Sequence, residues 1–369
     1  IAVNDCGVID YHKDMGLVSE VFNNKINILK ALAILIVVAG HLEFSLIPMF
    51  PPYSFQVILF FFIAGILYKE NYSFIEFTKR RCKSLLLPYF LYSFTYIGIT
   101  KALVPMFGKF WGLPITLKNE LLIPFLTGHQ LDLISPLWFV PCLFITLIIY
   151  KLFSYLKINN ILKLGLFFLL SLCAIQLQSY SENIYLLWIL RTMFALFFVH
   201  IGYMYKNNIE GKYDIFSYKI LSCMLILQSI LWLTNKDFTA QDGIGLHFLL
   251  VWGNYNNCIV PILTSITGIW ICLFLVEKTF DIIKDWEFLQ KVGHNTYHIM
   301  ANHLLIFNLI TYSFLTIKGI PFDIKNNADI YWFYFPLKTT YFYFVFGIII
   351  TTYIGECLKY LNKKLFSKI

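Results

Sequence analysis

The sequence predicts an all-α fold: a polytopic membrane helix bundle of about ten transmembrane helices, with both termini cytoplasmic. Three observations predict it. The 369 residues are 59% hydrophobic, 19% aromatic and only 14% charged, more apolar surface than a soluble chain of this length can bury. Apolar runs of about twenty residues, the length that crosses a hydrocarbon core of about 30 Å, recur from Asn27 onward. Lys and Arg gather in alternate connections, as topology requires. This composition excludes a nucleic-acid-binding domain, a small disulfide scaffold and a cytosolic enzyme. The eight cysteines are scattered, without a CxxC pair or a zinc-ligand spacing.

Residues 1–25 carry Asp5, Asp10, Lys13, Asp14, Glu20 and Lys25 and form a polar cytoplasmic tail rather than a secretory signal, which would need a basic start and a short apolar core. Residues 26–360 form the membrane domain. Its candidate helices are apolar runs between polar punctuation, near 26–47, 54–69, 84–104, 136–156, 161–179, 183–205, 216–234, 256–277, 294–316 and 332–360. Pro88 falls one turn into the third, where neighbours must re-satisfy the backbone. The segment 244–260 holds Trp252, Gly253, Asn254 and Asn256, and reads as a re-entrant or interfacial piece. Residues 361–369 form a basic cytoplasmic tail. With the N-terminus inside, the inner tails and loops hold 21 of the 29 Lys and Arg, the outer loops seven, and Arg191 lies within a span. That asymmetry places the protein in a cell membrane as a multi-pass protein, with lipids around it. The longest connections, 105–135 and 235–255, fall outside.

An ionisable side chain within a span costs roughly 2.5 to 3.5 kcal/mol on insertion scales and is a candidate functional residue. In NILKALAILIVVAGHLEF, Lys30 and His41 stand eleven residues apart, about 16.5 Å along a helix and only about 20° around it. One face therefore carries a cation near the cytoplasm and an imidazole in the outer half. The axial distance is comparable with the reach of a pantetheine arm. The plainer reading makes Lys30 a snorkelling anchor and His41 a satisfied interior group.

In FTKRRCKSLLLPYF, Arg80 and Arg81 stand side by side in a chain whose other basic residues, Arg191 apart, are all Lys. Planar, bidentate guanidinium groups suit phosphate; a positive-inside signal is the alternative. Arg191, in YLLWILRTMFALFFVH, lies about eight residues or 12 Å deep and would hold an oxyanion, a substrate or Glu43. His294, His298 and His303 lie in VGHNTYHIMANHLLIF. The first two share a face at i and i+4, yet no third ligand is evident locally, so no metal site is expected. Trp138 and Phe139, in SPLWFVPCLF, form either an aromatic belt or a stacking surface for sugar faces.

Together these segments resemble the acyltransferase 3 family of integral membrane O-acyltransferases, most closely its fucose 4-O-acetylase-like, polysaccharide O-acetyltransferase branch. The resemblance runs from about Asn27 to the last helix. It rests on Lys30 followed by His41, FFFIAGILY, RRCKSLLLPYF, PLWFVPCLF and GHNTYHIMANH, in that order. Two positions depart: Lys30 stands where the family usually has Arg, and Ala64 where it has Ser. The resemblance implies transfer of an acyl group, acetyl above all, from cytoplasmic acetyl-CoA to a hydroxyl of a surface glycan or its lipid-linked precursor in the bacterial envelope. It implies Lys30, Arg80 and Arg81 at the CoA phosphates and His41 as general base or as a nucleophile carrying the acyl group. Glu43 would orient His41 if the helix end unwinds, although at i+2 it faces away on a regular helix. Arg191 and His303 would stabilise charge or bind the acceptor, beside Trp138 and Phe139. An ion-lined path through ten helices also suits the alternative, a transporter of a glycan intermediate or small solute.

Overall fold

The computed structural model describes residues 11–177, 183–235, 246, 248–255, 257–321, 329–334 and 339–366. Among them no β-strand forms, only isolated bridges between Gly112 and Leu131 and between Leu249 and Asn254. The helices are α1 Tyr11–Gly40, α2 Gln56–Ile66, α3 Phe74–Arg81, α4 Leu87–Phe107, α5 Leu117–Leu121, α6 Ile123–Leu126, α7 Phe139–Ser154, α8 Asn160–Gln176, α9 Ile184–Met204, α10 Tyr218–Thr234, α11 Val260–Ile283, α12 Glu287–His294, α13 Thr296–Lys318 and α14 Thr339–Phe366. Each of the ten candidate spans overlaps one of the longer ones. Among the described residues seven helical stretches are long and apolar enough to cross a membrane, while α2, α8 and α10 are shorter apolar helices. The protein is an all-helical, polytopic membrane bundle.

The boundaries differ from the expected ones where local chemistry intervenes. α1 begins within the expected polar tail, because Phe22 reaches the core, Lys206 Nζ caps its ring at 3.3 Å and Lys25 pairs with Glu277 at 2.7 Å. α1 also stops at Gly40, seven residues short of the expected end. Pro48, Pro51 and Pro52 cannot continue a helix, and Glu43, Met49 and Tyr53 all adopt positive φ. The loop is then tied to α2 by Gln56, whose amide donates to the Pro51 carbonyl at 2.9 Å. At Pro88 the backbone widens into a π turn, Cys82–Leu86, in which Leu87 N–H reaches back to the Cys82 carbonyl. Such a turn absorbs the hydrogen bond that proline removes. Among its described residues the segment 244–260 forms a 3-10 turn, Leu250–Trp252, closed by Gly253 at φ 61°, and enters α11 only at Val260. The last helix extends through Phe366, so the expected C-terminal tail begins inside it.

α2 and α9 lie at the centre, packed through glycine. A Cβ on Gly65 would collide with the Val199 carbonyl oxygen and one on Gly202 with that of Phe62. α1 passes α12 equally closely, since a Cβ on Gly293 would meet the Asn27 carbonyl. α1 also packs on α13, and that pair positions the site.

Candidate active site

The loop after α1 hands His41 to the interior. His41 N–H still bonds to the Val37 carbonyl at 3.2 Å, so its ring sits at the very end of the helix. There it meets His303 of α13, ring centroids 5.0 Å apart and inclined by 38°. His303 is fully buried, and its Nδ1 lies 3.0 Å from the Ile299 carbonyl. A carbonyl only accepts, so Nδ1 carries the hydrogen and Nε2 bears the lone pair. That Nε2 is buried and has no hydrogen-bond partner among the described residues. His41 Nδ1 is 3.2 Å from the Tyr53 hydroxyl. The Tyr331 ring stacks on His41 at 5.8 Å and 20°, held by a 2.7 Å bond between its hydroxyl and Ser135 Oγ. Burial pushes the Tyr331 phenol up to about 12 and raises that of Tyr53, so both stay protonated at neutral pH.

His41 forms part of the wall of a cavity of about 690 Å³ that also exposes Tyr53, Lys109, Asp132, Trp252 and Tyr331. The cavity opens where α1 ends: Gly40 and His41 line it together with Tyr53, Ser54 and Val57 from the turn and helix that follow. Trp138 lines it, whereas Phe139 does not: Phe139 packs behind, edge-on to Phe61 at 5.0 Å. Arg191 sits one layer back. Its guanidinium carbon is 4.8 Å above the Trp138 ring, and Nη1 donates to the Thr127 carbonyl at 3.1 Å. Nε and Nη2 are buried without partners, and Arg191 forms no ion pair among the described residues. The same loop presents His129, whose ring stacks on Trp252 at 4.6 Å and 12°. Burial, reinforced by the nearby Arg191 charge, lowers His129 to about 4, so it is neutral at pH 7.

Glu43 is exposed and makes no hydrogen bond to His41; the helix does end early, with φ 59° at Glu43, and the side chain beside His41 Nδ1 is that of Tyr53. Lys30, Arg80 and Arg81 do not line this cavity. Lys30 lies close enough to Lys359 for their charges to interact. Arg80 pairs with Glu76 at 2.9 Å over the Tyr72 ring, and Arg81 lies over Phe77. These groups belong to the opposite end of the bundle from His41, where Tyr297 at the start of α13 meets the Leu85 carbonyl. Between that end and His303, α13 turns a polar face to α4: His298 Nδ1 is 2.7 Å from the Tyr92 hydroxyl, and Tyr96 donates to Asn302 at 2.9 Å. No group of three or more His, Cys, Asp or Glu able to hold a metal occurs among the described residues.

Half-buried His41 in the wall of an aromatic, hydroxyl-lined cavity thus has a fully buried second imidazole, His303, directly behind it. The family model described as an acyltransferase domain matches residues 23–355, and the chain belongs to that acyltransferase 3 family. It is a membrane acyltransferase. No curated protein and no solved structure matches the chain.

Proposed function

We propose that the protein moves an acetyl group from cytoplasmic acetyl-CoA to a hydroxyl of a cell-surface glycan or its lipid-linked precursor, in the manner of the fucose 4-O-acetylase-like branch. The observation that carries this is the His41–His303 pair, with His41 in the wall of the cavity and His303 packed against it. Trp252 and Tyr331 each lean one face on a histidine, and Asp132, Asp329 and Lys109 stand among them. Flat rings beside carboxylates and an ammonium suit the apolar faces and hydroxyl edges of sugars. At the other end Lys30, Arg80 and Arg81 would meet the CoA phosphates; Lys30 supplies charge without the bidentate grip of Arg.

In the direct reaction, His41 takes the acceptor's hydroxyl proton as the oxygen attacks the thioester carbon. The new C–O ester bond forms, the C–S bond breaks, and the proton passes to the departing thiolate. His303, with its lone pair held toward a partnerless space, assists that proton. Arg191 acts through Trp138 and the 126–129 loop. In the relay form His41 itself carries the acetyl group between donor and acceptor. Both termini then face the cytoplasm of a bacterial cell and the cavity faces outward.

Purified protein in nanodiscs, given acetyl-labelled acetyl-CoA and short oligosaccharides, should release CoA thiol beyond one equivalent per protein only when a sugar is present, and yield a labelled sugar ester. A transporter would release no thiol under the same conditions, and that outcome would end this proposal.

A further inference from the structure

The connection between α1 and α2, residues 41–55, holds three non-glycine residues at positive φ. For a bulky side chain this conformation is uncommon and costs free energy, and such strain gathers at functional sites. Tyr53 is the bulkiest of the three, at φ 57°. Three contacts show what the conformation achieves. The phenol oxygen lies 3.2 Å from His41 Nδ1. The phenol ring stands edge-on to the imidazole, centroids 5.6 Å apart at 80°. The Tyr53 carbonyl accepts from Phe248 N–H at 2.9 Å, which fixes the backbone to the turn that carries Trp252.

We propose that Tyr53 is a positioning residue for acyl transfer: it takes up His41 Nδ1, so that Nε2 is the nitrogen that meets substrate. Which nitrogen of a histidine reacts is set by the bond the other makes. A phenol serves here because it both accepts and donates. While Nε2 is the base, Nδ1–H donates to the phenol oxygen, and the same bond persists when Nε2 has taken a proton. The other groups facing His41 or its partners are His303, Tyr331 and Glu43. His303 has Nδ1 committed to Ile299, Tyr331 offers its ring face rather than its hydroxyl, and Glu43 is exposed in the turn.

This inference rests on His41 as the reacting residue, but its first test needs no turnover. Histidine-¹⁵N-labelled protein in detergent micelles, with the His41 signals assigned by their loss in His41→Gln, should show one tautomer, hydrogen on Nδ1, in the unmodified protein. Tyr53→Phe, which keeps ring and backbone, should show a tautomer mixture. In the acetylation assay Tyr53→Phe should lower kcat by about 10- to 100-fold with the KM values for donor and acceptor within about twofold. Tyr53→Gly, which relieves the backbone strain, should lose at least as much, because the hydroxyl and not the loop shape is what His41 needs. A tautomer mixture in the unmodified protein, or one unchanged tautomer in Tyr53→Phe, overturns the inference whether or not acetyl transfer is observed. So does a Tyr53→Phe enzyme with full kcat and a raised acceptor KM. Absence of acetyl transfer from the unmodified protein, with the expected tautomers in place, counts against the proposed reaction alone.

Discussion

Arg191 has backbone carbonyls and an indole face where a buried guanidinium would ordinarily have a carboxylate. Charge-assisted hydrogen bonds of that kind contribute about 1.5 to 3 kcal/mol each, and the face of Trp138 adds a cation–π attraction. Arg191→Ala should therefore lower thermal stability in detergent by an amount equivalent to about 2 to 3 kcal/mol. Arg191→Lys should recover only part, since an ammonium cannot span carbonyl and ring with one rigid plane. A melting curve unchanged by Arg191→Ala would contradict this role. His41 and His303 were both legible as ionisable groups in apolar runs, but their contact was not, because nothing local links positions 262 residues apart. Glu43 attracted attention as the nearest carboxylate; the turn at Gly40 sends it to the surface instead. Tyr53 is one of 24 tyrosines, so its type carries no signal. Its place directly after Pro51 and Pro52 was the available clue, since two prolines announce a fixed turn near His41.

At the level of helices, hydropathy located an apolar helix at each of the ten candidate positions, seven of them within stretches long enough to cross a membrane among the described residues, because a twenty-residue apolar run has few other destinations. What it could not supply was where the chain departs from regular helix. The π turn before Pro88, the break at Asn295 and the early end of α1 depend on which neighbour accepts a freed backbone group. Close packing of α2 on α9 was equally hidden, since a glycine looks the same in sequence whether it faces a carbonyl or open space. Gly65→Ala and Gly202→Ala should each cost about 3 kcal/mol or prevent assembly, because the colliding atoms are backbone and cannot rotate away. Gly98 and Gly165 meet nothing within 4 Å of a new Cβ. Alanine at those two positions should be neutral or stabilise slightly, by up to about 1 kcal/mol from helix propensity. Yields of folded protein by size-exclusion profile separate the two pairs, and equal behaviour of all four variants would contradict the packing argument.

Across the whole molecule, a helix that ends early leaves room for a cavity among the loops beyond it. α1 stops beside His303, and His129, Trp138 and the turn that carries Trp252 line the sides of the space beyond it. The cationic groups lie at the other end, so donor and acceptor would approach the imidazoles from opposite faces. The membrane class and the acyltransferase family were both legible in the sequence; the aromatic walls of the cavity were not, because Tyr331 and Trp252 come from loops far from α1. The most direct test of the account is acetyl transfer to oligosaccharide by His41→Gln in nanodiscs, beside unmodified protein inserted to the same extent. Transfer should fall at least about 1,000-fold while the melting temperature is kept. Transfer at the unmodified rate would contradict it.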